Sequence, residues 1–284
     1  MWCILTNKVK DDSKMTLQEI YNELIMPVDT NIKLSSVILS DVNKDKIRDF
    51  VNEINNREKL AKYGLRPMNR LLFYGASGCG KTFLGKALSN HLKYKMLYVD
   101  IAQALAKGNA AINIANIFRI ANTGKFIVFL DEVDSIAWDR DSKNAEAGDI
   151  RRATNSLFQQ MDQMKPQVIV IAATNMLHRL DPAFERRFDL KLEFKRPDMP
   201  IKDAVEKFLH PAFRLIVDRH DPITERRSKL SFAELEGVTE RLMKRAVMED
   251  RTEITMTEVY IEVARSMNVK ISFGTDTDEF YKTL

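Results

Sequence analysis

The chain has 284 residues, of which 45% are hydrophobic and 30% charged, as in an ordinary soluble globular protein. This length suits one or two domains, and a net charge of +4 is too small an excess for a dedicated nucleic-acid binder. No apolar run approaches the roughly 20 residues of a membrane span, and the first residues lack the features of a secretory signal. Two cysteines make no disulfide framework, which favours a reducing cytoplasm.

Two helices are predicted before the most informative segment of the chain. Leu17–Met26 has helical spacing and stops before Pro27, and residues 1–33 are too few for a domain of their own. A second, amphipathic helix follows Ser40. Its apolar face is formed by Val42, Ile47, Phe50, Val51 and Ile54.

A glycine-rich loop then separates an apolar strand, Arg70–Tyr74, from a helix that starts at Thr82. The loop reads Gly75-Ala76-Ser77-Gly78-Cys79-Gly80-Lys81-Thr82, a complete G-x-x-x-x-G-K-[ST] phosphate loop, or Walker A motif. Backbone N–H groups of such a loop turn inward around a phosphate, and the helix N-terminus adds partial positive charge. A chance glycine turn would leave the flanking strand and helix unexplained. The predicted nucleoside triphosphate site comprises Gly75, Ser77, Gly78, Cys79, Gly80, Lys81, Thr82 and Phe83.

Side chains of this loop have separate expected roles. Lys81 would bridge the β- and γ-phosphates of ATP, and the Thr82 hydroxyl would hold Mg²⁺, a hard cation that prefers oxygen ligands. Cys79 has two interpretations, a thiol with a lowered pKa at a helix N-terminus or a neutral spacer. The negative charge of a bound phosphate favours the neutral spacer.

After the loop, strands and helices alternate along the chain. Strands are predicted at Lys95–Asp100, Phe126–Leu130, Val168–Ala173 and Leu190–Phe194, and a helix at Ile112–Asn122. Continuous apolar runs of this kind are typical of parallel strands that crossover helices bury on both faces. The pattern predicts an α/β fold with a five-stranded parallel sheet, and a polar loop over Trp138–Asp149.

The strand Phe126–Leu130 ends in two carboxylates, Asp131 and Glu132, an arrangement called Walker B. Asp131 can reach Mg²⁺ through water beside Thr82, and Glu132 can polarise the water that attacks the γ-phosphate. An acidic pair after an apolar run is commonly just a solvated strand end. Behind a phosphate loop at this distance, the pair predicts a site for hydrolysis.

Beyond Arg196 the β-runs largely cease. Helical patterns follow at Ile201–Phe208, Phe232–Glu249 and Met256–Met267. Thr255 and Glu258 have the spacing of a capping box at the start of the last helix. We predict an N-terminal extension at 1–33, a large α/β ATPase domain at 34–196, a helical lid domain at 197–270 and a C-terminal tail at 271–284.

A series of linked motifs between about residues 36 and 267 resembles the AAA+ ATPases, specifically the AAA branch with a second region of homology. The motifs are Asp131-Glu132-Val133-Asp134, Asp149-Ile150-Arg151-Arg152 followed by Leu157-Phe158 and Met161-Asp162, Ala172-Ala173-Thr174-Asn175, and Leu180-Asp181-Pro182-Ala183. The resemblance implies a wedge-shaped large domain with a five-stranded parallel sheet and a helical lid. It also implies that ATP binds between neighbouring subunits of a ring, usually a hexamer.

The resemblance assigns further residues. Asn175 matches sensor 1, an amide that helps orient the attacking water, although an Asn at a strand end can also simply satisfy a turn. Arg186 and Arg187 match arginines that reach into the next subunit's site, without the usual spacer between them. Their planar, permanent charge suits a transferring phosphoryl group, and a solvated charge pair is the alternative. Lys229–Leu235 resembles the lid segment that contacts adenine and ribose, but Phe232 replaces a glycine.

These features predict a cytoplasmic ATPase whose ring remodels or regulates a protein client. The alternative is an ATP-dependent switch or scaffold that docks a partner without pulling it. DNA loading fits poorly with the net charge, and a metabolic kinase would leave Glu132, Asn175 and the paired arginines without a joint explanation. Family members that thread polypeptide carry an aromatic–aliphatic–Gly pore loop, and the equivalent segment Leu105–Ala110 contains no aromatic residue.

Overall fold

A computed structural model describes residues 29–106, 109–135, 145–217 and 227–267 of the chain. The predicted helix at Leu17–Met26 and the C-terminal tail lie outside these residues. No helix in the described part of the chain has both the length and the apolar character needed to cross a bilayer.

The centre of the fold is a sheet of five parallel strands. The strands are β1 (Arg70–Gly75), β2 (Lys95–Asp100), β3 (Phe126–Asp131), β4 (Ile169–Thr174) and β5 (Leu190–Phe194). Their order across the sheet is β2-β3-β4-β1-β5, so the chain crosses over repeatedly and all carboxyl ends lie along one edge. This sheet confirms the predicted α/β fold.

The helices of this part of the chain are α1 (Asp41–Asn55), α2 (Arg57–Ala61), α3 (Lys81–Leu92), α4 (Ile101–Ala106), α5 (Ala110–Ala121), α6 (Ala145–Gln163) and α7 (Pro182–Glu185). The four longer helices, α1, α3, α5 and α6, cover both faces of the sheet. Ser40 caps α1, since its hydroxyl accepts a hydrogen bond from the backbone N–H of Asn43. The loop prediction over Trp138–Asp149 was wrong at its C-terminal end, because Ala145–Asp149 already belong to α6.

Alternation along each strand divides the apolar side chains between two cores. On one face, α1 and α3 pack against residues such as Phe73 and Phe129, and on the other α5 and α6 pack against Leu72 and Val128. The inner strands β1, β3 and β4 therefore have no solvated face, which explains their continuous apolar runs, whereas the edge strand β5 alternates and exposes Glu193. The sheet is consequently a rigid support for the loops at its carboxyl edge.

The C-terminal part of the chain has a third core of its own. It consists of α8 (Ile201–Phe208), α9 (Phe232–Met248) and α10 (Met256–Ser266), together with two three-residue strands, β6 (Arg214–Ile216) and β7 (Glu253–Thr255), that pair in parallel. The capping box predicted at Thr255 and Glu258 is present, and a second one joins Ser231 and Glu234 at the start of α9. The helical C-terminal part agrees with the prediction, whereas the boundaries drawn between domains stay predictions.

Candidate functional site

The phosphate loop connects β1 to α3 at the carboxyl edge of the sheet, and three of its glycines have positive φ angles. Gly75, Gly78 and Gly80 have φ angles of 134°, 71° and 94°, which side chains rarely permit. A Cβ atom on Gly75 would lie 2.0 Å from the carbonyl oxygen of Phe194 in β5. The loop can therefore curve away from the strand only because this position has no side chain.

Lys81 occupies the first turn of α3 and is 7% exposed. Its ammonium donates to the carbonyl oxygens of Gly75 and Ala76, at 2.7 and 2.9 Å, and to Oδ1 of Asn175, at 2.7 Å. Burial lowers the pKa of Lys81, and the nearby carboxylates of Asp131 and Asp134 oppose that shift. The cation is thus fixed beside the loop by acceptors from both β1 and the residue that follows β4.

A carboxylate and a hydroxyl suited to a hard cation are adjacent in this site. Thr82 Oγ1 donates to Asp131 Oδ2 at 3.2 Å, and the Tyr98 hydroxyl donates to the same oxygen at 2.7 Å. Asp131 Oδ1 accepts the backbone N–H of Glu132 at 3.0 Å. The two residues predicted to hold Mg²⁺, Thr82 and Asp131, are therefore in direct contact. Tyr98, which no sequence motif singled out, contacts the same carboxylate.

Glu132 follows β3 with a φ of 52°, in the left-handed region that non-glycine residues seldom adopt. Its side chain is exposed at the carboxyl edge of the sheet. Desolvation raises the pKa of Glu132, and the carboxylates of Asp100, Asp131 and Asp134 raise it further. A carboxylate made more basic in this way is a better proton acceptor for water.

Asn175 directly follows β4, and its exposed amide meets the phosphate loop through the hydrogen bond from Lys81. The preceding Thr174 is buried, and its hydroxyl donates to Asp134 at 2.7 Å and accepts the backbone N–H of Met176. Thr174 therefore fixes the turn in which Asn175 lies. This arrangement brings the end of β4 next to the end of β3.

The two predicted arginines have different surroundings. Arg187 lies over the Phe158 ring of α6, with its guanidinium carbon 4.4 Å from the ring centroid, and pairs with Asp162 at 2.5 Å. Arg186 is exposed, and its guanidinium has no ion-pair partner among the described residues. Although the two arginines are adjacent in sequence, Arg187 packs against α6 whereas Arg186 is exposed.

The remaining loop residues differ in burial. Cys79 is 3% exposed, and burial raises the pKa of its thiol, which supports the neutral spacer rather than a reactive thiolate. Ser77 is exposed, and Phe83 on the first turn of α3 is 41% exposed. Both side chains are thus accessible beside the loop.

The start of α9 contacts the phosphate loop directly. The backbone N–H of Ala233 donates to the carbonyl oxygen of Gly78 at 3.1 Å, and a Cβ on Gly78 would lie 2.7 Å from Ser231 Oγ. Hydrogen bonds from the Ser231 backbone and side chain lower the pKa of Glu234, which completes the cap. Although Phe232 replaces a glycine, the backbone of this segment still lies close to the loop.

The residue types at this site suit ATP and Mg²⁺. For the phosphates, the loop offers glycine backbone at a helix N-terminus and the ammonium of Lys81. For the cation, Thr82 and Asp131 offer adjacent oxygen atoms. A parallel sheet with this loop after β1 and carboxylates after β3 defines a P-loop nucleoside triphosphatase. Comparisons with known proteins specify the family: the chain belongs to the AAA ATPases and is an ATPase.

Those comparisons agree with one another. The family model described as "ATPase family associated with various cellular activities (AAA)" matches residues 71–196. An uncharacterized AAA family ATPase of Sinorhizobium fredii, y4kL, is 31% identical over 224 residues, which cover 78% of this chain and 67% of the relative.

Two further relatives are longer proteins. ATP-dependent zinc metalloprotease FtsH 1 of Alkaliphilus metalliredigens is 33% identical over 186 residues, covering 62% of this chain and 31% of that protein. A putative 26S proteasome regulatory subunit homolog of Methanothermobacter thermautotrophicus is 29% identical over 197 residues, covering 68% of this chain and 52% of the relative. The chain thus spans about a third and about half of these two proteins.

Proposed function

We propose that this ATPase assembles into a ring, with six subunits as the expected number, and hydrolyses ATP at the interfaces between subunits. The observation that carries the proposal is the exposed guanidinium of Arg186, in a chain that also has a phosphate loop. This guanidinium has no ion-pair partner among the described residues. An arginine held away from its own subunit's carboxylates can stabilise charge on a phosphoryl group bound by the next subunit.

Within one subunit, we assign separate roles to the residues around the loop. Lys81 holds the β- and γ-phosphates, and Thr82 and Asp131 hold Mg²⁺, which supplies neutralising charge to the phosphates when bound. Glu132 accepts a proton from the attacking water, and its raised pKa suits that task. Asn175 orients the water, since its amide lies beside Lys81.

We assign the two arginines different roles. The ion pair with Asp162 and the contact with Phe158 commit Arg187 to its own subunit, where it fixes the segment after α7 against α6. Arg186 of the partner subunit then completes each site. This assignment narrows the sequence-based expectation, in which both arginines were candidates.

A mixing experiment tests the interface. Arg186→Ala subunits keep an intact phosphate loop, and Lys81→Ala subunits keep Arg186, so each is inactive alone and a mixed ring regains working interfaces. We expect ATPase activity to reappear on mixing. If the two forms co-assemble and no activity returns, Arg186 does not act between subunits. Arg187→Ala is the comparison variant. We expect this change to lower folding stability within each subunit, and mixing with Lys81→Ala subunits should not correct that loss.

We propose a protein as the client. Two relatives are named as an ATP-dependent zinc metalloprotease and as a putative 26S proteasome regulatory subunit homolog, and both names describe machinery that acts on proteins. We further propose a cytoplasmic location, supported by the free thiol of Cys79 in the phosphate loop. Co-purification with a Glu132→Gln form held in ATP tests the client class, and recovery of nucleic acid instead of protein would contradict it.

A switch or scaffold is the second candidate function. It is favoured by one observation, the absence of an aromatic residue from Leu105–Ala110, the segment equivalent to the pore loop of threading members. In that case ATP would gate the docking of a partner protein, and the partner would leave in its native fold.

A further inference from the structure

We propose that Tyr98 is a positioning residue for the magnesium site, whose hydroxyl holds the Asp131 carboxylate turned toward Thr82. The inference rests on the proposed role of Thr82 and Asp131 at Mg²⁺. It adds a residue from β2, a strand to which the sequence motifs of the site assign nothing.

The hydrogen bonds around Asp131 leave its carboxylate little freedom. Oδ2 accepts from the Tyr98 hydroxyl at 2.7 Å and from Thr82 Oγ1 at 3.2 Å, while Oδ1 accepts the backbone N–H of Glu132 at 3.0 Å. The shortest of these contacts comes from Tyr98. Each oxygen of Asp131 thus accepts a hydrogen bond from a donor that is not itself a proposed Mg²⁺ ligand, Tyr98 at Oδ2 and the Glu132 backbone at Oδ1, as is typical of residues that support metal ligands.

The Tyr98 ring is itself held in place. It stacks on Phe129 of β3, with ring centroids 5.7 Å apart and an angle of 12° between the planes. β2 and β3 are paired, and Tyr98 is opposite Phe129 in their register. Because the backbone and the ring are both fixed, the hydroxyl can reach Asp131 without a large loss of side-chain entropy.

The chemistry of a phenol suits this position. A lysine or arginine would also orient the carboxylate, but its charge would compete with the divalent cation for Asp131. A phenol is a neutral hydrogen-bond donor at neutral pH, since its ordinary pKa is about 10. Tyr98 can therefore fix Asp131 while the carboxylate keeps the negative charge that attracts Mg²⁺.

The test measures how much Mg²⁺ improves nucleotide binding. Affinity for a fluorescent ATP analogue is determined in EDTA and in saturating Mg²⁺, and the ratio of the two is the magnesium increment. We expect Tyr98→Phe, which keeps the ring stacking, to reduce this increment roughly tenfold, at the lower end of what residues supporting metal ligands contribute. Affinity in EDTA should not change. In steady-state assays, the KM for Mg²⁺ should rise while kcat at saturating Mg²⁺ is retained.

Matched variants separate positioning from a general effect. Tyr94→Phe removes a hydroxyl from a tyrosine that is more deeply buried than Tyr98 and whose ring lies beneath the guanidinium of Arg57, and it should leave the magnesium increment unchanged. In an Asp131→Asn background, Tyr98→Phe should cause no further loss, because the two residues act through one hydrogen bond.

Three outcomes would overturn the inference. An unchanged increment in Tyr98→Phe would show that the hydroxyl does not position Asp131, while the proposed magnesium site would stand. The same loss in the Asp131→Asn background would show that Tyr98 acts elsewhere. A wild-type protein with no magnesium increment would instead overturn the proposed magnesium site together with the role of Tyr98.

Discussion

Lys81 and Glu132 lie in one site but affect different steps of the reaction. Lys81 is a buried cation with three acceptors at hydrogen-bonding distance, and Glu132 is an exposed carboxylate at the end of β3. The first is placed to hold phosphate, and the second to act on water.

We predict that Lys81→Ala abolishes ATP binding, whereas Glu132→Gln retains binding and loses turnover. Only the first change removes the charge that holds the phosphates, and only the second removes the base. Fluorescent nucleotide binding and phosphate release measure the two properties. Lys86→Ala, further along α3, is the control and should preserve both. Equal loss of affinity in both site variants would contradict these roles.

A second prediction concerns the effect of pH on stability at Glu132. Partial desolvation and three neighbouring carboxylates raise the pKa of Glu132 in the folded state, so the charged form of Glu132 is less stable in the folded protein than in the unfolded chain. The charge therefore destabilises the fold above the folded-state pKa, and the effect disappears below the unfolded value of about 4. We expect Glu132→Gln without nucleotide to melt higher than wild type at neutral pH. The difference should vanish at acidic pH, and a lower melting temperature at neutral pH would contradict the prediction.

At the scale of elements, α3 packs closely on β3 because Gly85 has no side chain. A Cβ atom there would lie 2.6 Å from two ring carbons of Phe129. In an exposed helix, Gly→Ala stabilises by about 0.5–1 kcal/mol, but overpacking a core costs about 1–3 kcal/mol. The clash should outweigh the gain in helix propensity.

We therefore predict that Gly85→Ala lowers the free energy of unfolding by about 1–2 kcal/mol. The smaller side chain of Phe129→Leu removes the clash, so the double variant should lose less stability than the sum of the two single variants. Chemical denaturation of the four proteins measures this coupling. Strict additivity would show that Gly85 is not in tight contact with Phe129.

The packing of α6 gives a prediction for the two arginines. Arg187 is held by Asp162 and Phe158, whereas Arg186 is exposed. Since the ion pair is partly solvated, we expect Arg187→Ala to cost about 1–2 kcal/mol of stability, chiefly through the cation–π contact and lost packing. Arg186→Ala should cost less than about 0.5 kcal/mol, as is usual for exposed positions. Denaturant titration of both variants checks the difference, and equal losses would contradict it.

The elements differ in how far their sequences predict them. The strands of the main sheet fall within one residue of prediction, because burial on both faces leaves a continuous apolar signal in β1, β3 and β4, and β5 shows a short apolar alternation. β6 and β7 were missed, since three residues are too few to show a period, and α4 was missed because it follows β2 without a break. Tyr98 gave a faint signal as a polar group inside an apolar run. Its contact with Asp131 depends on the pairing of β2 with β3, which only the fold establishes.

For the whole molecule, we predict that the assembled ATPase does not unfold stable proteins processively. A threading motor transmits force through bulky, stiff side chains, and an aromatic ring supplies such contact at little cost in rotamer entropy. The side chains of Leu105, Ala106 and Lys107 are smaller or more flexible than an aromatic ring, and they offer less stiff contact area to a client. Unfolding of a stably folded, tagged substrate by the purified protein measures this. Robust unfolding that collapses in Leu105→Ala would show that the chain threads its client.

The hydrogen bond between Ala233 and Gly78 has a mechanical consequence. It joins the phosphate loop to the first turn of α9, and α9 has 17 residues, a length of about 25 Å. A displacement of Gly78 must either break this bond or carry the near end of α9 with it. Since α9 packs with α8 and α10 in the third core, such a displacement acts on that core as a whole and not on α9 alone. The phosphate loop and the helical C-terminal part of the chain are therefore mechanically coupled through this backbone hydrogen bond.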